Sequence, residues 1–414
     1  MDEAKQKFCL TSLERAWILY DVGNSAFVLL VATLIPIFFN ALAEGGGLSS
    51  VEYLAYWGYA ASAVTVITAV LSPILGTLAD TRNYKKPIFT FCVAVGVIGC
   101  CAMGMASTWL PFLLIFIFAK VGFSGSLVFY DSMLSDVTVP DRMDEVSSKG
   151  YAWGYIGSCV PFVVCLALVL GAGSIGISQM TALNLALFIT AAWWLVTTLP
   201  LLRQYKQVHF VEVQEHAIRQ SFARIGHTLR HLKEDRQVFW FLLAFFCYID
   251  GVYTIIDMAT AYGTALGLDT TGLLLALLVT QIVAFPSALV FGRLSGQYPS
   301  GTLIPVCIAA YAGIALFAFF LKHQWQFWVL AVVVGMFQGG IQALSRSHFA
   351  KIIPPEKSGE YFGLFDICGK GASFLGPMIV SVGSQLTGSA NVGVGSLIVL
   401  FIVGFVLFRV SDQK

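Results

Sequence analysis

Charged side chains are scarce in this chain: they make up 11% of its 414 residues, whereas a soluble globular domain carries about 25%. Hydrophobic residues account for 57%, and the mean hydropathy is +0.80. So little charge and so much apolar surface exclude an ordinary soluble fold and predict an all-α integral membrane protein. The formal net charge of +1 gives no sign of a nucleic-acid partner, and none is expected.

Motifs of several other protein classes are missing as well. No cysteine belongs to a CxxC pattern and no histidine pair offers metal ligands, so we expect no disulfide, metal or other cofactor. The absence of a phosphate-cradling glycine-rich loop argues against an ATP-driven pump. All six histidines fall in loops or near the ends of apolar runs, whereas an intramembrane enzyme needs a base at membrane depth. We therefore expect no enzyme.

Long apolar runs dominate what is present. Runs of about 20 residues or more, enough to cross roughly 30 Å of hydrocarbon, recur twelve times. The predicted spans are residues 15–41, 52–79, 87–107, 110–137, 150–172, 180–202, 238–262, 272–292, 302–321, 325–349, 361–384 and 390–409. The first run is long enough to remain as a spanning helix, so no cleavable signal peptide is expected.

The distribution of Lys and Arg predicts the orientation of these spans. With both termini cytoplasmic, 21 of the 24 basic residues lie on the cytoplasmic side or at its edge, as the positive-inside rule requires. Lys322 is outside, and Lys120 and Lys370 are buried within spans. We therefore expect a multi-pass protein of a cytoplasmic (inner) membrane with both termini in the cytoplasm.

The longest predicted cytoplasmic segment, residues 203–237, divides the spans into six and six. We expect an N-terminal half at 1–202, this linker, and a C-terminal half at 238–414. Four apolar residues of the linker recur at helical spacing beside basic residues: Phe222, Ile225, Leu229 and Leu232. This pattern predicts an amphipathic helix on the inner membrane surface, which tethers the two halves.

The two halves also repeat weakly in sequence. Helix 1 contains Tyr20-Asp21, and helix 7 contains Ile249-Asp250-Gly251. A proline followed by a polar segment with Glu, Lys, Ser, Gly and Tyr comes after helix 4 and again after helix 10. Parallel six-helix repeats are typical of secondary transporters, which bind their solutes near the membrane midplane between the halves.

The segment from Gly76 to Lys86 reads GTLADTRNYKK and resembles the loop between helices 2 and 3 of the major facilitator superfamily. Four positions match that pattern: Gly76, Leu78, Asp80 and Lys85. Three positions depart from it, Thr81, Asn83 and Tyr84, and Arg82 lies one position away from an arginine of the pattern. The resemblance implies a gate, in which Gly76 lets helix 2 approach its neighbour and Asp80 lies at the positive N-terminus of helix 11. The residues predicted to gate are Gly76, Asp80, Arg82, Lys85, Asp131, Asp136 and Arg142. A loop anchored only by its positive charge is the alternative.

Four segments, taken in order along the chain, resemble the UMF1 family, which includes the Atg22-like proteins of fungal vacuoles. They are residues 20–27, 146–157, 248–255 and 363–377. The resemblance covers almost the whole chain and implies a major facilitator fold of twelve transmembrane helices in two six-helix halves. In that fold helices 1, 4, 7 and 10 line the cavity. Members with an assigned role are linked to amino-acid efflux, which makes amino-acid transport an expectation for this chain.

Charged residues in the middle of apolar runs mark a candidate solute path. An ionised group at the bilayer centre costs roughly 2.5–3.5 kcal/mol unless it faces an internal cavity. The residues predicted to bind substrate are Tyr20, Asn24, Lys120, Trp153, Asp250, Gln338 and Lys370, and those predicted to couple transport to protons are Asp21 and Asp250. As alternatives, Lys370 forms an ion pair with Asp366 one helical turn earlier, and Trp153 is a packing residue.

These features predict a secondary active transporter that moves a small organic solute by alternating access. Two midplane lysines suit a carboxylate, and nearby carboxylates and amides suit an ammonium group, so the expected substrate is anionic or zwitterionic. The sequence leaves open whether the solute is exported and whether protons drive its transport. A multidrug exporter and a non-transporting membrane sensor are the alternatives. We expect a monomer whose partners are the lipid bilayer and this solute.

Overall fold

The computed structural model describes residues 9–48, 50–212, 232, 235–259, 262–263 and 266–412. Within these ranges the side chains of residues 50–51, 53–55, 270–271, 274 and 370–374 are outside the description. Most of the predicted amphipathic helix of the linker, and the side chain of Lys370, therefore lie outside the described residues. Over the part that is described, regular structure is helical, and Thr81 and Val211 form an isolated parallel bridge.

The described residues of the first half form eight helices: α1 (Ser12–Ala32), α2 (Leu34–Gly45), α3 (Ser50–Ala79), α4 (Lys85–Met103), α5 (Trp109–Ser132), α6 (Leu134–Val137), α7 (Pro140–Leu170) and α8 (Gln179–Gln204). The second half contains seven among its described residues: α9 (Arg236–Asp257), α10 (Thr270–Leu294), α11 (Ser300–Ala318), α12 (Gln324–Ile352), α13 (Ser358–Thr387), α14 (Ala390–Gly395) and α15 (Ile398–Asp412). A short 3-10 turn at Pro355–Lys357 precedes α13.

Eleven helical stretches of the described residues are long and apolar enough to cross a membrane. Helix α13, at 30 residues, occupies the position of the eleventh predicted span. The predicted all-α architecture with twelve membrane-spanning segments is confirmed. The chain is a multi-pass membrane protein.

Two span boundaries differ from the prediction for local reasons. The first span is broken at Thr33 into α1 and α2. Pro36 lacks a backbone N–H, and its ring collides with the carbonyl four residues earlier, which is the last residue of α1. Helix α7 begins at Pro140 rather than at 150. Seven of its first ten residues are polar or charged, so hydropathy alone does not reveal this part of the helix, but a proline at the first helical position is favourable.

Both described termini lie at one end of the bundle, together with the turns at residues 80–84, 133–139, 205–212, 295–299 and 353–357. Contacts between these segments establish the grouping. The Ser12 hydroxyl lies 2.7 Å from Gln204 Oε1, and the backbone N–H of Arg82 donates to the backbone carbonyl of Val211 at 3.0 Å. We call this end the basic end and the opposite end the far end. The positive-inside rule predicts that the basic end is cytoplasmic.

The two halves meet along helices α3 and α13, and along α7 with α10 and α12. Glycines allow the backbones to touch at the first of these crossings. A Cβ atom placed on Gly76 would overlap the carbonyl of Gly359, and one on Gly363 would lie 2.7 Å from Pro73 Cα. The predicted close approach of helix 2 through Gly76 is therefore confirmed.

Candidate functional site

A buried arginine joins the halves near the basic end. Arg346 of α12 is 2% exposed, and its Nη1 atom lies 3.0 Å from Asp131 Oδ1 and 3.7 Å from Asp21 Oδ2. Its Nε donates to the Ser147 hydroxyl at 2.9 Å, and its Nη2 donates to the Ser147 carbonyl at 3.0 Å. All three partners belong to the first half. The planar guanidinium suits this arrangement because it presents several donors in fixed directions.

Three aromatic rings of the first half surround the same guanidinium. The Arg346 Cζ atom lies 4.6 Å from the ring centroid of Trp17, 5.4 Å from that of Tyr130 and 4.3 Å from that of Tyr151. A desolvated cation–π contact contributes about 2 kcal/mol or more. The cation is thus held by carboxylates and aromatic rings of the first half together, which compensates for its burial.

A second connection between the halves uses the backbone of α13. The Asp80 carboxylate, which is fully buried, accepts hydrogen bonds from the Gly359 N–H at 2.7 Å and the Glu360 N–H at 2.8 Å. These groups lie in the first turn of α13, where unpaired N–H groups and the helix dipole favour an anion. The predicted placement of Asp80 at the N-terminus of helix 11 is confirmed. Its role as a gate stays a prediction.

Lys85 completes this second connection. Its buried ammonium donates to the Ser358 hydroxyl at 2.8 Å and lies 3.7 Å from Asp80 Oδ1 and 3.8 Å from Asp136 Oδ2. A third connection is the ion pair between Lys351 of α12 and Asp144 of α7, at 2.6 Å. We call these three groups of contacts the seal; they centre on Arg346, on Asp80 with Lys85, and on Lys351.

The start of the linker packs onto the seal through Asp136. One oxygen of this carboxylate accepts from the N–H groups of Val208 and His209 and lies 3.0 Å from His209 Nδ1, while the other accepts from the Tyr205 hydroxyl at 2.6 Å. Burial alone would raise the pKa of Asp136, but the hydrogen bonds from His209 and Tyr205 and the nearby Lys85 ammonium hold it below its ordinary value. The hydrogen bond to Asp136 in turn raises the pKa of His209. Asp136 therefore connects the start of the linker to Lys85 at the start of α4, and its role as a gate stays a prediction.

Two other predicted gate residues make contacts that do not cross between the halves. Arg142 donates to both carboxylate oxygens of Glu14, at 2.9 and 2.6 Å, and so ties α7 to α1. Arg82 is exposed, and its Nη1 atom lies 3.4 Å from Glu212 Oε1 of the linker. Their assignment to the gate stays a prediction.

Lys120 lies near the middle of α5, a helix that also contacts α13 of the second half. Its Nζ lies 4.8 Å from the ring centroid of Phe123 and 5.9 Å from that of Phe27. Asp257 is the last residue of α9. Lys120 is half-buried and Asp257 is exposed. Over the described ranges, no group of three or more His, Cys, Asp or Glu side chains is placed to hold a metal ion.

Asp250 has partners inside its own half. It is fully buried and accepts a hydrogen bond from the Gly376 N–H at 2.8 Å and another from the Thr254 hydroxyl at 3.4 Å. Gly376 directly precedes Pro377, where α13 cannot continue its regular hydrogen bonding. These contacts give Asp250 a structural task, and its predicted roles in substrate binding and proton coupling stay predictions.

Tyr20 and Asn24, also predicted to bind substrate, are buried in the first half. The Tyr20 hydroxyl donates to the Ser126 hydroxyl at 2.7 Å, and its ring packs against Phe89 and Tyr130. The Asn24 amide lies 3.5 Å from Asp21 Oδ1, next to the Arg346 cluster.

The remaining predicted residues lie at other contacts between the halves. Gln338 of α12 is buried, and the adjacent Gly339 packs against the ring of Tyr155 on α7. Trp153 is 47% exposed, and its ring meets that of Phe285 edge to face. Asp366, the alternative partner of Lys370, accepts a hydrogen bond from the Ser72 hydroxyl at 2.6 Å.

Sequence reasoning missed Arg346, Lys351 and Asp144. Arg346 lies within the predicted tenth span, close to its end, and was counted there as a charge at the membrane edge. The informative signal was an arginine four residues after Gln342 on a cavity-lining helix, with unpaired carboxylates at matching depth in helices 1 and 4. Asp144 lies in the polar first turns of α7, outside the predicted span.

Comparison with known proteins agrees with this geometry. The solved structure of the human organic anion transporter MFSD10 superimposes with a TM-score of 0.72 at 14% identity, covering 96% of this chain and 98% of that one. The transporter FucP in its outward conformation superimposes with a TM-score of 0.73 at 17% identity, covering 97% and 98%. The twelve-helix bundle therefore has the fold of the major facilitator superfamily.

Sequence relatives define the family within this class. The chain is 42% identical over 409 residues to the uncharacterized MFS-type transporter YxiO of Bacillus subtilis, covering 98% of this chain and 96% of that protein. It is 25% identical to autophagy-related protein 22 of Coccidioides immitis, covering 83% of this chain and 70% of that protein. The profile of the family described as "Vacuole effluxer Atg22 like" matches residues 12–141 and 135–414. The chain belongs to this Atg22-like family of major facilitator transporters, and it is a transporter rather than an enzyme.

Proposed function

We propose that this chain is a secondary active transporter that carries a small carboxylate-bearing organic solute, with amino acids as the leading class, by alternating access between its two halves. The observation that carries the proposal is the seal at the basic end, with the cation Lys120 deeper in the same interface. In alternating access a site at this depth opens to one side while the other side is held closed. The seal supplies that closure.

The seal must break for the basic end to open. Its contacts join α12 and α13 of the second half to α1, α5 and α7 of the first half and to Asp80 in the turn after α3. They therefore stabilise the sealed arrangement of the two rigid halves over the open one. A bound solute shifts the equilibrium between these arrangements only by the difference in its affinity for them. This is the behaviour required of a transporter with one central site.

Lys120 supports a substrate with a carboxylate. The ammonium lies over the rings of Phe27 and Phe123, whose faces attract a cation. A bound carboxylate would supply charged acceptors, which are the strongest partners for an ammonium group. The description of the family as vacuole effluxers supports export of the solute, and a positive charge at this depth disfavours the cationic substrates of a multidrug exporter.

We expect Lys120→Gln to abolish the preference for a free carboxylate. The measurement compares uptake of a mixture of radiolabelled neutral L-amino acids with that of the matching amino-acid amides, in vesicles reconstituted with purified protein. The wild type should favour the acids by roughly 10- to 100-fold, because a hydrogen bond between two charged groups contributes about 1.5–3 kcal/mol. Lys120→Arg, which keeps the charge, serves as the control and should retain part of the preference. Equal transport of acids and amides by the wild type would instead favour the drug exporter, and ligand binding without transport would favour the sensor.

We also propose that the basic end faces the cytoplasm, so that both termini are inside. In a Cys9→Ser background, cysteines introduced at Gly173 and Thr387, which are exposed at the far end, should react with an impermeant thiol reagent added to intact cells. A cysteine at Gln297, exposed at the basic end, should react only after lysis. The opposite labelling pattern would reverse the orientation.

A further inference from the structure

The first residues of the linker are folded onto the turn between α3 and α4. We call residues 205–212 the linker start. The Val211 N–H donates to the Asp80 carbonyl at 2.8 Å, and the backbone N–H of Arg82 donates to the Val211 carbonyl at 3.0 Å. The side-chain amide of Gln207 donates to the last carbonyl of α3 at 3.1 Å. These hydrogen bonds hold the backbone on both sides of Asp80, whose carboxylate binds the first turn of α13.

Asp136 connects the linker start to the second half through Lys85. One oxygen of the buried carboxylate accepts from the His209 backbone N–H at 2.9 Å and lies 3.0 Å from His209 Nδ1, and the other lies 3.8 Å from Lys85 Nζ. Lys85 in turn donates to the Ser358 hydroxyl, at the start of α13, at 2.8 Å. When the histidine is protonated, His209, Asp136 and Lys85 thus form a chain of alternating charge that ends at α13.

These contacts exceed what a passive tether between the halves requires. Ordering the linker start costs conformational entropy, and the hydrogen bonds to Asp80 and Asp136 offset that cost. Both the linker start and α13 bind the turn between α3 and α4, and both require it in the same position. Each of the two contacts is therefore expected to stabilise the other.

His209 makes the docking of the linker start depend on pH. Its side chain is 33% exposed at the basic end, so protons reach it from water. The hydrogen bond from Asp136 raises the pKa of His209 and the charge of Glu356 raises it further, whereas burial and the Lys85 ammonium lower it. The net shift is upward from the ordinary histidine pKa of about 6.5. The charged imidazolium therefore stabilises docking fully below the ordinary pKa, and this stabilisation is lost as the pH rises through the raised pKa.

We propose that the linker start regulates the seal according to cytoplasmic pH: charged His209 holds Asp136, Asp136 orients Lys85, and Lys85 binds α13. This inference rests on the sealing role given in the proposed function and adds its regulation. His209 acts through Asp136 and Lys85, so it is a positioning residue. A rise in cytoplasmic pH should release the linker start and make the basic end easier to open.

The test measures how fast a thiol reagent modifies a cysteine introduced at Ala343, which is fully buried beside the Arg346 contacts, in purified full-length protein. Mass spectrometry gives the rate at this residue at about pH 6 and about pH 8.5, on either side of the histidine titration. Division by the rate for unfolded protein at the same pH removes the titration of the thiol itself. The normalised rate should be roughly three- to tenfold higher at the alkaline pH, because His209 is partly exposed and a neutral imidazole still donates a weaker hydrogen bond.

Variants of His209 separate its charge from its other contacts. His209→Gln keeps the backbone N–H bond to Asp136 but never carries the charge, so the normalised rate should be high at both pH values. His209→Arg keeps a cation throughout and should stay protected at both. His323→Gln changes an exposed histidine at the far end; it is the matched control and should leave the pH dependence intact.

The outcomes separate this inference from the proposed function. Equal protection of the introduced cysteine at both pH values, with His209 intact, would overturn the regulation by pH and leave the sealing role standing. A pH dependence that persists in His209→Gln would overturn it too, as would loss of protection at alkaline pH in folded His209→Arg protein. Modification at the unfolded rate at both pH values, with His209 intact, would overturn the sealing role and the inference with it.

Discussion

Replacing Arg346 by glutamine should open the basic end of the transporter. The substitution removes a buried cation from Asp131 and Asp21 and leaves two carboxylates without their charged partner. Breaking a buried ion pair in this way costs about 3–5 kcal/mol, and a change of about 1.4 kcal/mol shifts an equilibrium tenfold. The sealed arrangement should therefore lose at least a hundredfold in population relative to the open one, and transport should fall accordingly.

Cysteine protection measures this change directly. Ala343 is fully buried on α12, and its carbonyl accepts a hydrogen bond from the Ser147 hydroxyl at 2.8 Å. A cysteine at this position should be protected from a thiol reagent in the otherwise unaltered protein and become reactive with Arg346→Gln. Adding Asp131→Asn to Arg346→Gln should recover part of any lost thermal stability without restoring protection, which distinguishes opening from misfolding. Unchanged protection in folded Arg346→Gln protein would contradict a sealing role.

Arg82→Gln provides the contrast. Arg82 was predicted to be a gate residue, Arg346 is observed in the seal, and both lie at the basic end. In the ion pair between Arg82 and Glu212, both side chains are exposed. Exposed ion pairs contribute about 0–1 kcal/mol. We therefore expect Arg82→Gln to leave the cysteine at Ala343 protected, even though the superfamily pattern places an arginine in this loop.

The helices were predictable because membrane crossing imposes a length and a composition that a single sequence displays. The break at Thr33 and the early start of α7 were not, since a proline inside an apolar run and polar turns beyond the hydrocarbon leave the hydropathy pattern unchanged. The placement of Asp80 came from a motif with a physical reason, the pairing of a carboxylate with a helix N-terminus. Its partners lie 279 and 280 residues away along the chain, and residue spacing alone would not have found them.

Arg346 and Asp250 show where sequence reasoning ends. A count of charges along spans gives the approximate depth of each residue, but the partner is decided by which helices pack together. Arg346 meets Asp131 across a separation of 215 residues. Asp250 and Asp257 are equivalent by helical periodicity, and the difference between them is made by Gly376 of α13, which pairs with the first and not with the second.

Coupling to protons, which we propose as the source of energy, should depend on Asp21 more than on Asp250. A proton can drive a conformational change only if its binding differs between the two arrangements of the halves. Asp21 lies 3.7 Å from Arg346 across the interface, so neutralising Asp21 weakens the seal. The described partners of Asp250 are in its own half, so a proton on Asp250 changes the stability of that half rather than the balance between sealed and open arrangements.

Asp21→Asn should therefore abolish accumulation of radiolabelled amino acids driven by a pH gradient while retaining exchange of internal for external substrate. The asparagine is neutral at all pH values, so the seal no longer responds to protonation at this position. Asp250→Asn is the matched variant: it should lower thermal stability, because the Gly376 N–H loses a charged acceptor worth about 1.5–3 kcal/mol, but it should keep gradient-driven accumulation in the folded fraction. The opposite assignment would follow if Asp250→Asn alone lost accumulation, and wild-type transport that ignores both a pH gradient and an uncoupler would make another ion, with sodium first, the coupling species.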